Sequence, residues 1–289
     1  MGMIGPIRSL LFAPGTRPDR FAKAMNAGAD AVAFDLEDSV EASRKAEARA
    51  LVADFLATSG TGSLRLIRFN SPQTPDGEAD IDYFSGAQVF DGVMLPKIET
   101  AGVVEQVART LAASAPSGVA PPLFLLLETP RAILNAPKIA TADAPVAALL
   151  FGAEDYTASL SIERTIDGEE LAFARSQIVL AASLVGADAI DGVCVHLNDS
   201  NALQRDCARA RALGFRGKMA IHPRQLDIIN SSFTPTPVEI ERANKLIDAY
   251  EMTRALGQGV TTMDGQMVEL PIVERARRLL ALAGRHHDQ

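Results

Sequence analysis

The 289 residues include only two cysteines, Cys194 and Cys207, which lie 13 positions apart and outside any CxxC pattern. That spacing excludes a zinc knuckle and a disulfide framework and suits a reduced, cytoplasmic setting. Long apolar runs are also missing: the densest stretches, 123–127 and 145–151, fall far short of the roughly 18 residues a membrane-spanning helix needs. Positive charge is in deficit, with 28 Lys and Arg against 36 Asp and Glu for a net charge of −8. No general basic field is therefore expected for nucleic acid or an anionic membrane, and an anionic ligand must be gripped locally. The apolar segment in MGMIGPIRSLLFAPG is too short for a secretory signal, and Pro6 occupies the Ser/Thr position of the myristoylation pattern. No targeting segment is expected.

What is present is an alternation. Short aliphatic and β-branched runs, each followed by turn residues and an Ala-rich stretch of helical period, occur eight times. They are SLLFAP (9–14), DAVAFDLE (30–37), LRLIRFN (64–70), DGVMLPK (91–97), PLFLLLE (122–128), VAALLFG (146–152), AIDGVCV (189–195) and KMAIHP (218–223). Their nearly continuous apolar character points to strands buried on both faces, as in a parallel sheet. Thr16-Arg17-Pro18 and Glu99-Thr100 mark helix starts between them. Eight β/α units without a GxGxxG after the first strand fit a (β/α)8 TIM barrel over 1–234 better than a dinucleotide-binding sheet. In the extension, 235–289, Pro235 and Pro237 open a helix to about 256, GQGVTTMDGQMVELP reads as a hairpin turning at Asp264-Gly265, and IVERARRLLALAG as a last helix. Too small to fold as a domain, this tail is expected to cover the barrel mouth or pack on a neighbouring subunit.

Barrel chemistry sits at the C-terminal ends of the strands. Polar residues there are Asp35, Glu37 and Asp38 after the second run, Arg68 and Asn70 on the third, Lys97 after the fourth, Glu128 on the fifth, Glu154 and Asp155 after the sixth and His222 after the eighth. Glu128 and Asp155 are 27 residues apart, the length of one β/α unit, so their carboxylates can converge across adjacent strands. Such a pair repels unless a cation intervenes, and oxygen-only ligation suits Mg²⁺ or Mn²⁺ rather than Zn²⁺. Alone, Glu128 reads equally as a neighbour of a helix cap. Arg68 is either a bidentate anion grip or a structural ion pair with Glu37 or Asp38. Lys97 offers Schiff-base chemistry, but surrounding carboxylates favour its ammonium form, so pairing with an acid is the stronger expectation. His222 is placed to contact substrate. Arg8, Arg17, Arg20 and Lys23 gather near the first β/α connection, where they read as a phosphate site or as a solvated helix start. Glu37, Asp38 and Glu41 either orient water around a metal or are acids of a first helical turn.

The segments RSLLFAPGTRPDRFAKA, AVAFDLEDSV, RLIRFN, GVMLPKIET, LLLETPRAI, LLFGAEDYTASL, GKMAIHPRQL and DGQMVELPIVERAR together resemble the citrate lyase β-subunit-like proteins of the HpcH/HpaI aldolase superfamily, over nearly the whole chain. The resemblance implies a homotrimeric barrel that uses Mg²⁺ to cleave or form the C–C bond between a 2-oxo acid and a short acyl thioester, on CoA or an acyl carrier protein. The alternatives to that lyase are a thioesterase on the same metal site and a ligand-binding scaffold without turnover. By motif the resemblance implies that Arg68 binds substrate and assists catalysis, Glu128 binds metal and substrate, and Asp155 is the second metal ligand, with Asp35, Glu37, Asp38 and Lys97 supporting them. It also implies an acid/base from the neighbouring subunit's C-terminal segment, where this chain carries Glu269 in place of the usual Asp. The extra methylene displaces that carboxylate by about an ångström, enough to cost on the order of 10²-fold in rate.

Overall fold

A computed structural model of the chain describes residues 5–60, 62–86, 89–255, 261–263 and 265–287. Eight parallel strands pair in sequence order and close into a barrel: β1 (Ser9–Pro14), β2 (Ala31–Asp35), β3 (Leu64–Arg68), β4 (Gly92–Leu95), β5 (Leu123–Leu127), β6 (Val146–Phe151), β7 (Asp188–Asp191) and β8 (Gly217–Ala220). Each of the eight apolar runs supplies one strand, and all five residues of β5 are buried, as strands covered on both faces require. The seventh run departs from expectation, leaving the sheet after Asp191 instead of continuing to Val195. At Gly192 a Cβ would stand 2.8 Å from the Phe151 carbonyl oxygen, and the backbone passes beside β6 as loop from there.

Helices α1 (Pro18–Met25), α2 (Lys45–Thr58), α3 (Pro75–Phe84), α4 (Ala101–Ser114), α5 (Pro130–Ala140), α6 (Ala153–Leu160), α7 (Ala172–Val185), α8 (Ser200–Leu213) and α9 (Leu226–Phe233) connect and follow the strands. Helix starts set where the strand ends stop. Before α5, the Thr129 hydroxyl accepts the Ala132 N–H and Pro130 occupies the first turn, which leaves Glu128 as the residue between strand and cap. On one flank of the barrel, Asp191 of β7 and Lys218 of β8 are register partners and meet at 2.6 Å. Arg175 of α7 donates to Asp191 at 2.8 Å and to Asp206 of α8 at 2.7 Å, and Lys218 reaches Asp206 at 2.6 Å. Two cations and two anions thus balance within the buried layer that ties α7 and α8 to the sheet.

Residues Ile7–Ser231 make one compact unit. A second takes in the residues from Ser232 onward, with α10 (Pro237–Ala255), the antiparallel pair β9 (Thr261–Met263) and β10 (Gln266–Val268), and α11 (Leu270–His287). Tyr250, Val268 and Val273 form its core. Helix α11 starts at Leu270, two residues before its apolar pattern, because Pro271 is compatible with a first turn. Asp264 of the expected turn lies outside the described residues, while Gly265 beside it takes φ +75°. Among the described residues no helix is long and apolar enough to cross a membrane.

Candidate active site at the C-terminal mouth of the barrel

A cavity of about 750 Å³ opens at the C-terminal strand ends and is lined by residues from β1 round to β8. Asp35, Asp38, Arg68, Glu128, Asp155 and His222 all face it, so the barrel gathers most of the sequence-derived candidates at one place. Two centres organise the mouth: an arginine among carboxylates at β2 and β3, and a carboxyl pair at β5 and β6.

At the first centre the register places Asp35 beside Arg68. Arg68 donates from Nε and Nη2 to the two Asp35 oxygens, each at 2.7 Å, and its Nη1 lies 3.1 Å from Glu37 and 3.2 Å from Asp38. Its guanidinium also stacks 4.9 Å above the Phe12 ring of β1. Burial alone would raise the Asp35 carboxyl, but the bidentate arginine outweighs it and holds Asp35 below the ordinary carboxylate range. Burial would likewise weaken the Arg68 cation; Asp35, Glu37 and Asp38 together hold its proton more firmly than usual. Of the two readings from the sequence, the structure shows the structural ion pair, with Asp35 as the principal partner rather than Glu37 or Asp38, and it leaves Arg68 lining the cavity.

Glu37 is 5% exposed, and neither of its oxygens finds a well-aligned hydrogen bond. Its support is charge, from Arg68 and from Lys97 Nζ at 3.0 Å. Burial raises its carboxyl above the ordinary value despite these cations. For Lys97, burial acts to lower the ammonium pKa, but Glu37, Asp38 and Glu128 reverse the shift and keep it protonated. A lysine in that state is no Schiff-base nucleophile, so its chemistry here is pairing.

At the second centre Glu128 is 2% exposed. One oxygen, Oε1, accepts the backbone N–H of Lys97 at 2.7 Å. Burial, then the charges of Glu37 and Asp155, push the Glu128 carboxyl well above the ordinary range, with Asp155 within hydrogen-bonding reach. Asp155 and Glu154 occupy the first turn of α6, where the helix dipole favours acids. Close approach of the pair depends on Gly152, since a Cβ there would lie 2.3 Å from Glu128 Cβ and 2.6 Å from its Oε2. Two crowded carboxylates with oxygen donors only would accept a hard divalent cation that keeps several waters, as Mg²⁺ does. Among the described residues no group of three or more His, Cys, Asp or Glu is arranged to hold a metal, so further ligands would have to be water or substrate.

Other candidates divide. Arg20 and Lys23 of α1 line the cavity and make no ion pair among the described residues. Arg17 pairs with Asp19 at 2.9 Å, and Arg8, ahead of β1, pairs with Asp30 at 2.7 Å; neither joins that group. Glu41 is exposed and does not line the cavity. Glu154 binds Arg164, which also donates to the Val193 carbonyl. Glu269 belongs to the second unit, exposed at the start of α11, where its carbonyl accepts the Ile272 N–H.

Three contributors escape sequence reasoning. Phe12, Gly152 and Lys45 carry no reactive group or lie away from strand ends, and only the glycine ahead of Glu154-Asp155 leaves a sequence signal. Lys45 is buried in α2 and donates to the carbonyls of Leu36 and Glu37, both at 2.7 Å, and to Asn70 Oδ1 at 2.6 Å. Asn70 in turn donates to Asp80, which holds Arg49. These bonds fix from behind the loop that carries Glu37 and the residues that follow Arg68 at the end of β3.

Residues 8–223 match the family HpcH/HpaI aldolase/citrate lyase. The citrate lyase subunit beta of Leuconostoc mesenteroides subsp. cremoris is 37% identical over 286 residues, covering 97% of this chain and 94% of that protein. A (3S)-malyl-CoA thioesterase of Cereibacter sphaeroides is 37% identical over 279 residues, covering 96% and 95%. The solved structure of protein CitE from Mycobacterium tuberculosis in complex with magnesium, acetoacetate and coenzyme A aligns with a TM-score of 0.80 at 34% identity, over 97% of this chain and 98% of that one.

Proposed function

The chain belongs to the HpcH/HpaI aldolase/citrate lyase family, and on that premise we propose that it is a Mg²⁺-dependent lyase. It cleaves, or in reverse forms, a 3-hydroxy-acyl thioester of the malyl, citramalyl or citryl type, giving a 2-oxo acid and a short acyl thioester. The observation that carries this is the pairing of buried Glu128 with half-buried Asp155, brought together by Gly152 at the cavity wall. Its oxygen-only donors and mutual repulsion fit a bound hard cation, Mg²⁺ or alternatively Mn²⁺. Glu128 and Asp155 are the residues that would hold the ion, which when bound acidifies a substrate hydroxyl and takes up charge on its oxygens.

The chain's own groups account for the remaining work. A carboxylate, Glu269 of a neighbouring subunit, takes the hydroxyl proton; the C–C bond breaks, and its electron pair passes into the departing thioester enolate. Arg68, fixed by Asp35 and facing the cavity, supports that developing charge. His222 contacts the substrate. Arg20 and Lys23, cations at the cavity rim without ion-pair partners among the described residues, suit the phosphates of a CoA or acyl-carrier-protein arm. A homotrimer accounts for how Glu269 reaches a mouth in another copy, and the exposed apolar stripe Phe173, Leu180 and Leu184 on α7 supplies surface for such contacts. Cys194 and Cys207, both buried and in no disulfide, fit a cytoplasmic setting.

Hydrolysis is the second reading, favoured by the likeness to a relative named as a malyl-CoA thioesterase. Mass spectrometry of malyl-, citramalyl-, methylmalyl- and citryl-thioesters incubated with the purified protein and Mg²⁺ separates the two. Cleavage to a 2-oxo acid and an acyl thioester is expected. Release of intact hydroxy acid with free CoA would favour hydrolysis, and no consumption of any thioester would refute both.

A further inference from the structure

His222 is held more tightly than a substrate-contacting loop residue needs to be. It caps the short 3-10 turn Pro223–Gln225 from an extended backbone, and its ring Nδ1 accepts the backbone N–H of Arg224 at 3.1 Å. Gln225 clamps the same segment: its N–H donates to the His222 carbonyl at 3.0 Å, its Oε1 accepts the Ile221 N–H at 3.0 Å, and its buried Nε2 donates to the Cys194 carbonyl at 2.8 Å. A backbone N–H is an obligatory donor, so the Nδ1 it meets presents a lone pair. The neutral ring then carries its hydrogen on Nε2. No group among the described residues accepts that hydrogen, and the ring lines the cavity.

We propose that His222 serves the reaction as a neutral hydrogen-bond donor through Nε2–H, aimed at the thioester carbonyl oxygen, and not as its acid or base. This rests on the lyase function proposed above. To take a proton at Nε2 the ring would need the opposite tautomer, with Nδ1–H facing the Arg224 N–H. To give one away it would become an imidazolate. A fixed neutral donor instead stabilises an oxygen that gains negative charge as the C–C bond breaks, with no proton transferred. Strand order selects the oxygen. β8 lies two strands beyond β6, whose end bears the Asp155 carboxyl, and next to β1, whose following helix bears Arg20 and Lys23. An acyl thioester running from the carboxyl pair to those cations along this side of the mouth would bring its carbonyl to the end of β8, where the His222 ring lines the cavity.

Two-bond ¹H–¹⁵N correlation spectra of the labelled protein at pH 7.5, with His222→Gln identifying the signal, test the tautomer directly. The Nε2–H form is expected, and an Nδ1–H form would overturn the proposal. With Mg²⁺ present, acetyl-CoA is expected to shift the His222 Nε2 resonance more than oxaloacetate does; a shift from oxaloacetate alone, or from neither, would overturn the thioester assignment. In turnover, His222→Leu is expected to lose about 10²-fold in kcat, while His222→Gln, which keeps an N–H near Nε2, stays within about tenfold of wild type. Equal losses would contradict a donor role. The spectra require no turnover, so where no thioester is consumed, which overturns the lyase reaction and with it a part for His222 in that reaction, an Nε2–H tautomer and an acetyl-CoA shift still support His222 as a neutral donor to a bound thioester.

Discussion

The backbone N–H of Lys97 donates to Glu128 Oε1 at 2.7 Å from a left-handed conformation, φ +55°. A side chain in that region costs about 1–2 kcal/mol, so the surrounding structure holds Lys97 there against its preference. The bond fixes one oxygen of Glu128, and the Lys97 ammonium separately supports Glu37.

Replacing Lys97 separates these two effects. Lys97→Gly and Lys97→Ala both lose the ammonium, but only glycine relieves the backbone. Urea unfolding is expected to find Lys97→Gly more stable than Lys97→Ala by about 1 kcal/mol, the reverse of the usual order. An alanine variant as stable as the glycine variant would deny the strain.

Gly152→Ala is expected to push Glu128 away from Asp155, because its Cβ would meet Glu128 Cβ at 2.3 Å and Oε2 at 2.6 Å. Mg²⁺ affinity measured by calorimetry should fall by about 10- to 100-fold while the circular dichroism spectrum keeps its wild-type form. An affinity equal to wild type would show that the carboxyl pair tolerates wider spacing.

Acid should unfold the barrel partly through Asp206. Burial raises this carboxyl, but Lys218 and Arg175 more than offset it and lower the pKa from 3.8 to about 2. A carboxylate depressed in the folded state stabilises above its unfolded pKa and loses that contribution as pH falls towards the folded one. The contribution, on the order of 2 kcal/mol, is therefore complete above about pH 4 and fades between there and about pH 2. Asp206→Asn is expected to be less stable at pH 6 by about 3 kcal/mol and to show a flatter loss of stability across that acid range, followed by urea unfolding. A slope equal to wild type would place the acid sensitivity elsewhere.

How much of this is legible without coordinates varies by element. The eight strands are visible because barrel strands buried on both faces leave unbroken apolar runs, and the Glu128–Asp155 pairing is visible because one β/α unit separates them. Strand ends are less so: β7 stops at Asp191, where Gly192 brings the backbone close to the Phe151 carbonyl of β6, a three-dimensional contact that the apolar run does not show. Arg68 points equally to Glu37 and Asp38 in sequence, yet register sets it against Asp35, which takes its two shortest contacts. Gly152 and Lys45 act by where they let other groups sit, a property of three-dimensional neighbours rather than of residue type.

Arg68→Lys tests that register pairing. One ammonium cannot hold Asp35 bidentately and also reach Glu37 and Asp38. The expected loss in kcat/KM on a malyl-type thioester is about 10²-fold, of the size that a small misplacement brings. A variant within about threefold of wild type would mean that positive charge alone suffices there, without the planar fork.

Calorimetric titration of Mg²⁺ into the wild-type protein, Glu128→Gln and Asp155→Asn tests the metal seat on which the proposed chemistry depends. One site per chain is expected in the wild type, with affinity at least about tenfold weaker in each variant. Their unfolding midpoints should not fall, because a neutral group relieves the crowding between the two carboxyls. Wild-type affinity in both variants would contradict the assignment of Glu128 and Asp155 as the metal ligands.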